Sequence, residues 1–417
     1  MLARIATFRY FLFAVVILAI SLLYPSLVSR SVARLAQLKQ RFRAPSAIYK
    51  ASTSAPSINR TPHNMAYEKE LEVALLAVQR ASILTKTVFS SHTKGTLTKS
   101  DSSPVTIGDL GAQALIIASI KHAFPEDEVV GEEDADELRK DEQERTLVWD
   151  LVQAAKLDDR SAEDKIGGPI KSVDDMLAAL DSGRSNGGNK GRVWALDPID
   201  GTKGFLRGGQ YAVCLALMVD GVPTVGVIGC PNLPIDDQAP LDSSIGADAD
   251  DKDGKGVLFG AVKGAGATSR PLSKGTLQEP KKIAMKAVPD VSQASFCESV
   301  EAGHSSHGDN AAIASKLGIT KPSVRMDSQA KYASIARGAG DIYLRLPVNL
   351  KYEEKIWDHA AGVVLVQEAG GEVSDAWGKP LNFGIGRTLK ENKGVVAAPK
   401  EIFPRVIEVV KEVLNVN

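Results

Sequence analysis

The stretch Val193-Trp-Ala-Leu-Asp-Pro-Ile-Asp-Gly-Thr-Lys203 holds two carboxylates, Asp197 and Asp200, followed at once by Gly201 and Thr202. Hard divalent cations such as Mg2+ prefer carboxylate and carbonyl oxygens in near-octahedral geometry. Val193–Leu196 reads as a strand, and Pro198 is expected to end its regular pairing. The turn that follows can aim both acids at one point. Gly201 permits a tight backbone approach, and Thr202 offers a hydroxyl and an N–H at the start of the next segment, where a phosphate oxygen is favoured. The chemistry implied is removal of phosphate groups with metal ions. Taken alone, Asp-Pro-x-Asp-Gly is also an ordinary acidic turn, so the reading rests on partners elsewhere in the chain.

Three partners stand out. Val129-Val-Gly-Glu-Glu133 is a short apolar run that delivers Glu132 and Glu133 from a strand end. Lys99-Ser-Asp-Ser-Ser-Pro-Val-Thr-Ile-Gly-Asp109 places Asp101 in a loop ahead of a periodic apolar stretch. Lys355-Ile-Trp-Asp-His-Ala-Ala-Gly362 puts Asp358 where a helix is expected to begin, a position that favours Asp as N-cap.

The ordered set Gly-Glu-Glu, Asp-Pro-Ile-Asp-Gly-Thr and Trp-Asp-x-Ala-Ala resembles the lithium-sensitive, magnesium-dependent phosphomonoesterase superfamily, which includes inositol monophosphatases and 3'(2'),5'-bisphosphate nucleotidases. The resemblance runs from about Met65 to the C-terminus. Ser299-Val-Glu-Ala-Gly-His-Ser-Ser-His307, Met326-Asp-Ser-Gln-Ala-Lys-Tyr332 and Asp341-Ile-Tyr-Leu-Arg-Leu-Pro347 are similar to the fungal bisphosphate nucleotidase branch. What this implies is hydrolysis of adenosine 3',5'-bisphosphate (PAP) to AMP and phosphate, with the sulfated form PAPS as second substrate. The resemblance also implies two or three Mg2+ ions, held by Glu132, Asp197, Asp200, Asp358 and the Ile199 carbonyl. Asp101 and Thr202 match the pair that activates the attacking water. Thr202, His304, Ser328, Lys331 and Arg345 match positions that hold the nucleotide. An inositol phosphate phosphatase using the same metals is the nearest alternative, and a membrane-anchored, non-catalytic homologue a more distant one.

With 44% hydrophobic and 24% charged residues, the 417-residue chain has the composition of a globular enzyme. Its formal charge of −1 hides an asymmetry. The first 64 residues carry nine Lys or Arg and no acid, leaving 41 basic against 51 acidic residues in the rest. An acidic body of this kind argues against nucleic-acid binding. Cys214, Cys230 and Cys297 lack metal-ligand spacing and read as reduced, buried thiols. Tyr10 to Val28 is nearly all apolar and long enough to span a bilayer. This leader reads as a membrane anchor or a mitochondrial targeting segment. A start at Met65 would instead give a cytoplasmic product.

The alternation of helices and strands predicts a layered α/β architecture, and the resemblance implies the αβαβα sugar-phosphatase fold with an α+β N-terminal half and an α/β C-terminal half. The expected divisions are a leader and linker over 1–64, a metal-binding half over 65–256 and a nucleotide-binding half over 257–417. Helices are expected over Tyr67–Val88, Gly108–Ala123 and Asn310–Leu317, and paired strands over Tyr211–Val219 and Val222–Cys230. Ile235 to Lys255, with seven Asp, reads as an acidic loop.

Overall fold

Strands that are apolar on both faces need a layer on each side, and the central strands of this chain are of that type. In the computed structural model, which describes residues 66–93, 103–239, 241, 254–301 and 305–416, β1 (Glu128–Gly131), β2 (Arg192–Asp200), β3 (Ala212–Val219), β4 (Val222–Pro234), β5 (Lys255–Val262), β6 (Gly266–Pro271) and β7 (Lys281–Ile283) form one sheet in sequential order. Only β1 and β2 run parallel; the other neighbours are antiparallel. Asp220 and Gly221, both at positive φ, close the tight β3–β4 hairpin.

Side chains along these strands alternate between two cores. Trp194, Leu196, Val213, Leu215 and Leu217 face α1 (Glu68–Thr93) and α2 (Pro104–Ala123). Val193, Ala195, Cys214, Ala216 and Met218 face the opposite core, which they share with α3 (Ala330–Ala336) and α4 (Ala360–Glu368). Beyond these helices lies a second sheet, ordered β11 (Gly371–Ser374), β12 (Val395–Pro399), β10 (Ile342–Arg345), β8 (Phe296–Glu298) and β9 (Val324–Arg325). Its Cys297, Tyr343, Val395 and Ala397 point inward. Phe296, Ile342, Leu344 and Val396 point outward onto helices His307–Leu317 and Phe403–Val413. The expected αβαβα layering is therefore observed.

Four details differ from the sequence reading. The division expected at residues 256/257 falls inside β5, because β5, β6 and β7 continue the first sheet by hairpin pairing. The helix expected from Gly108 begins at Pro104, whose fixed φ suits the first helical position. β2 does not stop before Pro198; it reaches Asp200 across a register shift between Asp197 and Asp200. The helix near Asp358 begins at Ala360, and Asp358 closes a short 3-10 turn, Ile356–Asp358, instead of capping. The leader with Tyr10–Val28, the start at Met65, Asp101, His304 and most of the acidic loop lie outside the described residues. Among the described residues one helix, α1, is long and apolar enough to cross a membrane, yet its most apolar stretch is 78% buried against the sheet and α2.

Candidate active site

Each acidic side chain reaches the site through a distinct local device. Gly131 ends β1 where an added Cβ would lie 2.7 Å from the side chain of Gln113. Buried Gln113 on α2 donates to the Glu133 carbonyl at 2.7 Å and accepts from the Glu133 N–H at 3.0 Å. Arg387 donates to the Gly131 carbonyl at 2.6 Å. The turn carrying Glu132 is thus clamped from both sides. The irregularity at the end of β2 directs Asp197, Ile199 and Asp200 into the same cavity. Gly201 follows at φ 89°, and a Cβ there would meet Ser328 Cβ at 2.9 Å. Ser328 itself adopts φ 67°, a conformation that L residues other than Asn and Asp rarely hold. Thr202 opens the short helix Thr202–Leu206, whose first N–H groups take no part in its own bonding.

Glu132, Asp197, Ile199, Asp200, Thr202, Ser328, Lys331, Arg345 and Asp358 all line one cavity of about 250 Å³. All the sequence-derived site residues that lie within the described chain are brought together there. Asp197 is 3% exposed, and its Oδ1 is buried without a hydrogen-bond partner. Burial, then Glu132 and Asp200, raise its carboxyl far above the usual carboxylate range. Burial raises Asp200 as well, against the attraction of Lys331 and the N–H of Gln329. Burial, then Asp358 and Glu133, raise Glu132, which keeps an exposed edge where solvent screens part of the effect. Asp358 is pushed up to about 6 by burial, with Arg345 opposing and Asp200 adding to the rise. Carboxylates held this close in mutual repulsion, one with an unpartnered buried oxygen, form a donor set suited to a hard divalent cation.

The cations are placed differently from a simple phosphate clamp. Lys331 is buried beneath the site, its Nζ 3.4 Å from the Met326 carbonyl and 5.4 Å from the centre of the Tyr343 ring. Arg345 pairs with Glu354 at 2.8 Å and lies 3.5 Å from Asp358. Glu354 also meets His359 Nε2 at 3.2 Å, and His359 Nδ1 meets the Tyr332 hydroxyl at 2.9 Å. Burial alone would raise Glu354; the bonds from His359 and the charge of Arg345 outweigh it and bring it to about 2. Glu354, Asp358 and His359 lie close enough to suggest a metal trio. Both ring nitrogens of His359 are already engaged, however, so this chain of bonds acts as a brace behind Asp358.

Sequence reasoning missed four supporting residues: Gln113, Gln329 and the Glu354–His359 pair. Gln329 donates its backbone N–H to Asp200 at 2.5 Å. Its side chain donates to the Trp357 carbonyl at 2.8 Å and accepts from the Gly362 N–H at 2.9 Å. One buried residue, through its backbone N–H and its side-chain amide, thereby ties Asp200 to the Asp358 turn. Its position inside Met326-Asp-Ser-Gln-Ala-Lys-Tyr332, between two predicted contacts, was the available signal.

The chain matches the Inositol monophosphatase family over residues 66–415. It belongs to that family. Among its relatives, the 3'(2'),5'-bisphosphate nucleotidase of Emericella nidulans is 62% identical over 351 residues, 84% of this chain and 100% of that protein. The 3'(2'),5'-bisphosphate nucleotidase of Schizosaccharomyces pombe is 52% identical, over 82% of this chain and 95% of that protein. Among solved structures, an inositol monophosphatase from Zymomonas mobilis superposes with a TM-score of 0.52 at 19% identity, covering 83% of this chain and 99% of that one. That likeness supports the inositol monophosphatase-like fold. The resemblance to fungal bisphosphate nucleotidases read from the motifs is borne out by the two fungal relatives.

Proposed function

We propose that this enzyme removes the 3'-phosphate of PAP to give AMP and inorganic phosphate, with PAPS as second substrate and Mg2+ as the working ion. The observation that carries the reading is the convergence of Glu132, Asp197, Asp200 and Asp358 with Lys331, Arg345 and the Thr202 helix start around one small polar cavity. The names of the fungal relatives support the nucleotide as substrate.

In this reading Glu132, Asp197, Asp200, Asp358 and the Ile199 carbonyl hold the ions. Bound divalent ions supply two effects: a water made acidic enough to attack near neutral pH, and neutralised charge on the phosphoryl oxygens. The chain's own residues do the positioning. Thr202 presents its hydroxyl at the start of the Thr202–Leu206 turn, where it orients the attacking water, with Asp101 as its assigned partner. Backbone N–H groups of that turn receive phosphoryl oxygens. Lys331 offsets the cluster's negative charge from below, so that an anionic ester can approach. Ser328 and His304 hold the nucleotide. Arg345 serves it in part through Asp358, since its guanidinium is already paired with Glu354. A water nucleophile needs no covalent intermediate on Ser, Cys or His, and the three cysteines are all buried.

Phosphate release should be measured from PAP, PAPS and inositol 1-phosphate in parallel, with Mg2+ and with EDTA. A kcat/KM at least tenfold higher for PAP than for inositol 1-phosphate, lost in EDTA, is expected. Preference for the inositol ester would overturn the substrate assignment. Full activity in EDTA would overturn the metal.

A further inference from the structure

Val348, Leu350 and Tyr352 are three of the six large hydrophobic side chains exposed among the described residues, at 58%, 61% and 50%. They sit within five positions of one another on the segment that leaves β10 directly after Arg345. An exposed apolar cluster rimmed by charge marks a binding surface more often than idle surface. Its location is specific. Tyr352 and Arg345 line the acidic cavity and also a second cavity of about 200 Å³, walled by Pro347, Val348 and Asn349. Gly394 closes this second space. A Cβ at 394 would stand 2.3 Å from the Arg345 carbonyl, so glycine is what lets the chain pass so close beneath the segment. The acidic cavity, at about 250 Å³ and dominated by charged groups, accommodates a phosphoryl group and ions and leaves little room for a nucleoside.

We infer that the segment Pro347–Tyr352 is the nucleobase platform of this enzyme: the purine stacks on the ring of Tyr352, flanked by Val348 and Leu350, while the ester phosphate occupies the acidic cavity. The inference rests on the nucleotide reading above and adds the element that selects for the base. An aromatic ring half in solvent contributes a large rigid face at low entropic cost. Stacking is tolerant of base identity, so the platform selects for a base over a polyol such as inositol. Choice among bases is left to other groups.

The test compares inhibition of the full-length enzyme by its two products, AMP and inorganic phosphate, in Tyr352→Ala, Tyr352→Phe and Leu350→Ser. Loss of base stacking corresponds to about 10–100-fold in affinity. Tyr352→Ala is expected to raise KM for PAP and Ki for AMP by about that factor, and Ki for phosphate by less than about threefold. Tyr352→Phe should restore both nucleotide constants, and Leu350→Ser should weaken them in the same direction by about threefold. Nucleotide constants within twofold of wild type in both Tyr352→Ala and Leu350→Ser would overturn the platform. So would a phosphate Ki that rises in step with that of AMP. Failure of the nucleotide reading itself would appear elsewhere, as wild-type enzyme preferring inositol 1-phosphate to PAP.

Discussion

Replacing Asp358 by Asn should stabilise the metal-free protein while destroying its activity. Asp358 has a side chain 18% exposed, shares its cavity with Glu132, Asp197 and Asp200, and has its carboxyl pushed from 3.8 to about 6. Because the folded value lies above the unfolded one, the folded state binds the extra proton. Stability associated with this group is present below pH 4 and is lost as pH rises to about 6. The ionised carboxylate therefore costs the metal-free fold about 3 kcal/mol at pH 7.5. Asn carries no charge, keeps an oxygen that can accept from Arg345, and leaves Arg345 paired with Glu354. Allowing for a weaker Arg345 contact, a net gain of about 1–3 kcal/mol is expected, or about 1–4 °C in Tm for a chain of this size. The assay is thermal unfolding in EDTA from pH 4 to pH 8, repeated with millimolar Mg2+. The mutant should exceed wild type at pH 7.5 in EDTA, the two should converge near pH 4, and added Mg2+ should raise the melting point of wild type alone. kcat/KM should fall at least about 100-fold. A mutant less stable than wild type in EDTA at pH 7.5, or one stabilised by Mg2+ as much as wild type, would refute the reasoning that repulsion in this cluster awaits a cation.

Other predictions follow from packing. Arg80 is fully buried and bonds Glu163, Ser119 and the carbonyls of Gly168 and Leu115. Glu163→Gln should cost about 3–5 kcal/mol by leaving a buried charge unpaired, read by urea unfolding. Gly362→Ala would place a Cβ 2.3 Å from the Tyr332 ring. It should cost about 1–3 kcal/mol and lower kcat by displacing the brace behind Asp358, whereas Gly308→Ala, with nothing near its Cβ, should leave kcat within twofold. A chain beginning at Met65 should retain kcat/KM for PAP within about twofold, since the family match begins at residue 66; a loss of tenfold or more would give the leader a part in the site. Native protein should react with a thiol reagent slowly at all three buried cysteines and fast only after unfolding.

The cavity's carboxylates were readable in the sequence because they come in short, ordered motifs, with Glu132, Asp197 and Asp200 at strand ends beside Gly or Pro. Layering was readable from the alternation of strands and helices, and the resemblance narrowed it to αβαβα. Less readable was what holds the acids in place. Gln113 lies on a helix and Gln329 at a helix N-cap, and their residue type alone points to no site role; their partners lie 20 to 129 residues away. Asp358 read as an N-cap because Asp suits that role, whereas the fold inserts a 3-10 turn that frees its side chain for the cavity. Pro198 read as a strand terminator, and the register shift around it keeps β2 paired to Asp200. The boundary expected at residues 256/257 lies within β5, which pairs with β4 across the acidic stretch, a long-range pairing with no local signal.

The bond from Gln329 to Asp200, and through Trp357 and Gly362 to the Asp358 turn, has a consequence for biosynthesis. About 160 residues separate Asp200 from Asp358 along the chain. At ribosomal speeds of about 5–20 residues per second, a nascent molecule displays Glu132, Asp197 and Asp200 for roughly 10–30 s before Asp358 emerges. All seven strands of the first sheet, which ends at Ile283, are therefore synthesised before the Asp358 turn that Gln329 bonds. A chain stalled or cut before residue 358 carries the first sheet with Glu132, Asp197 and Asp200 but lacks Asp358, and so holds an incomplete acid set.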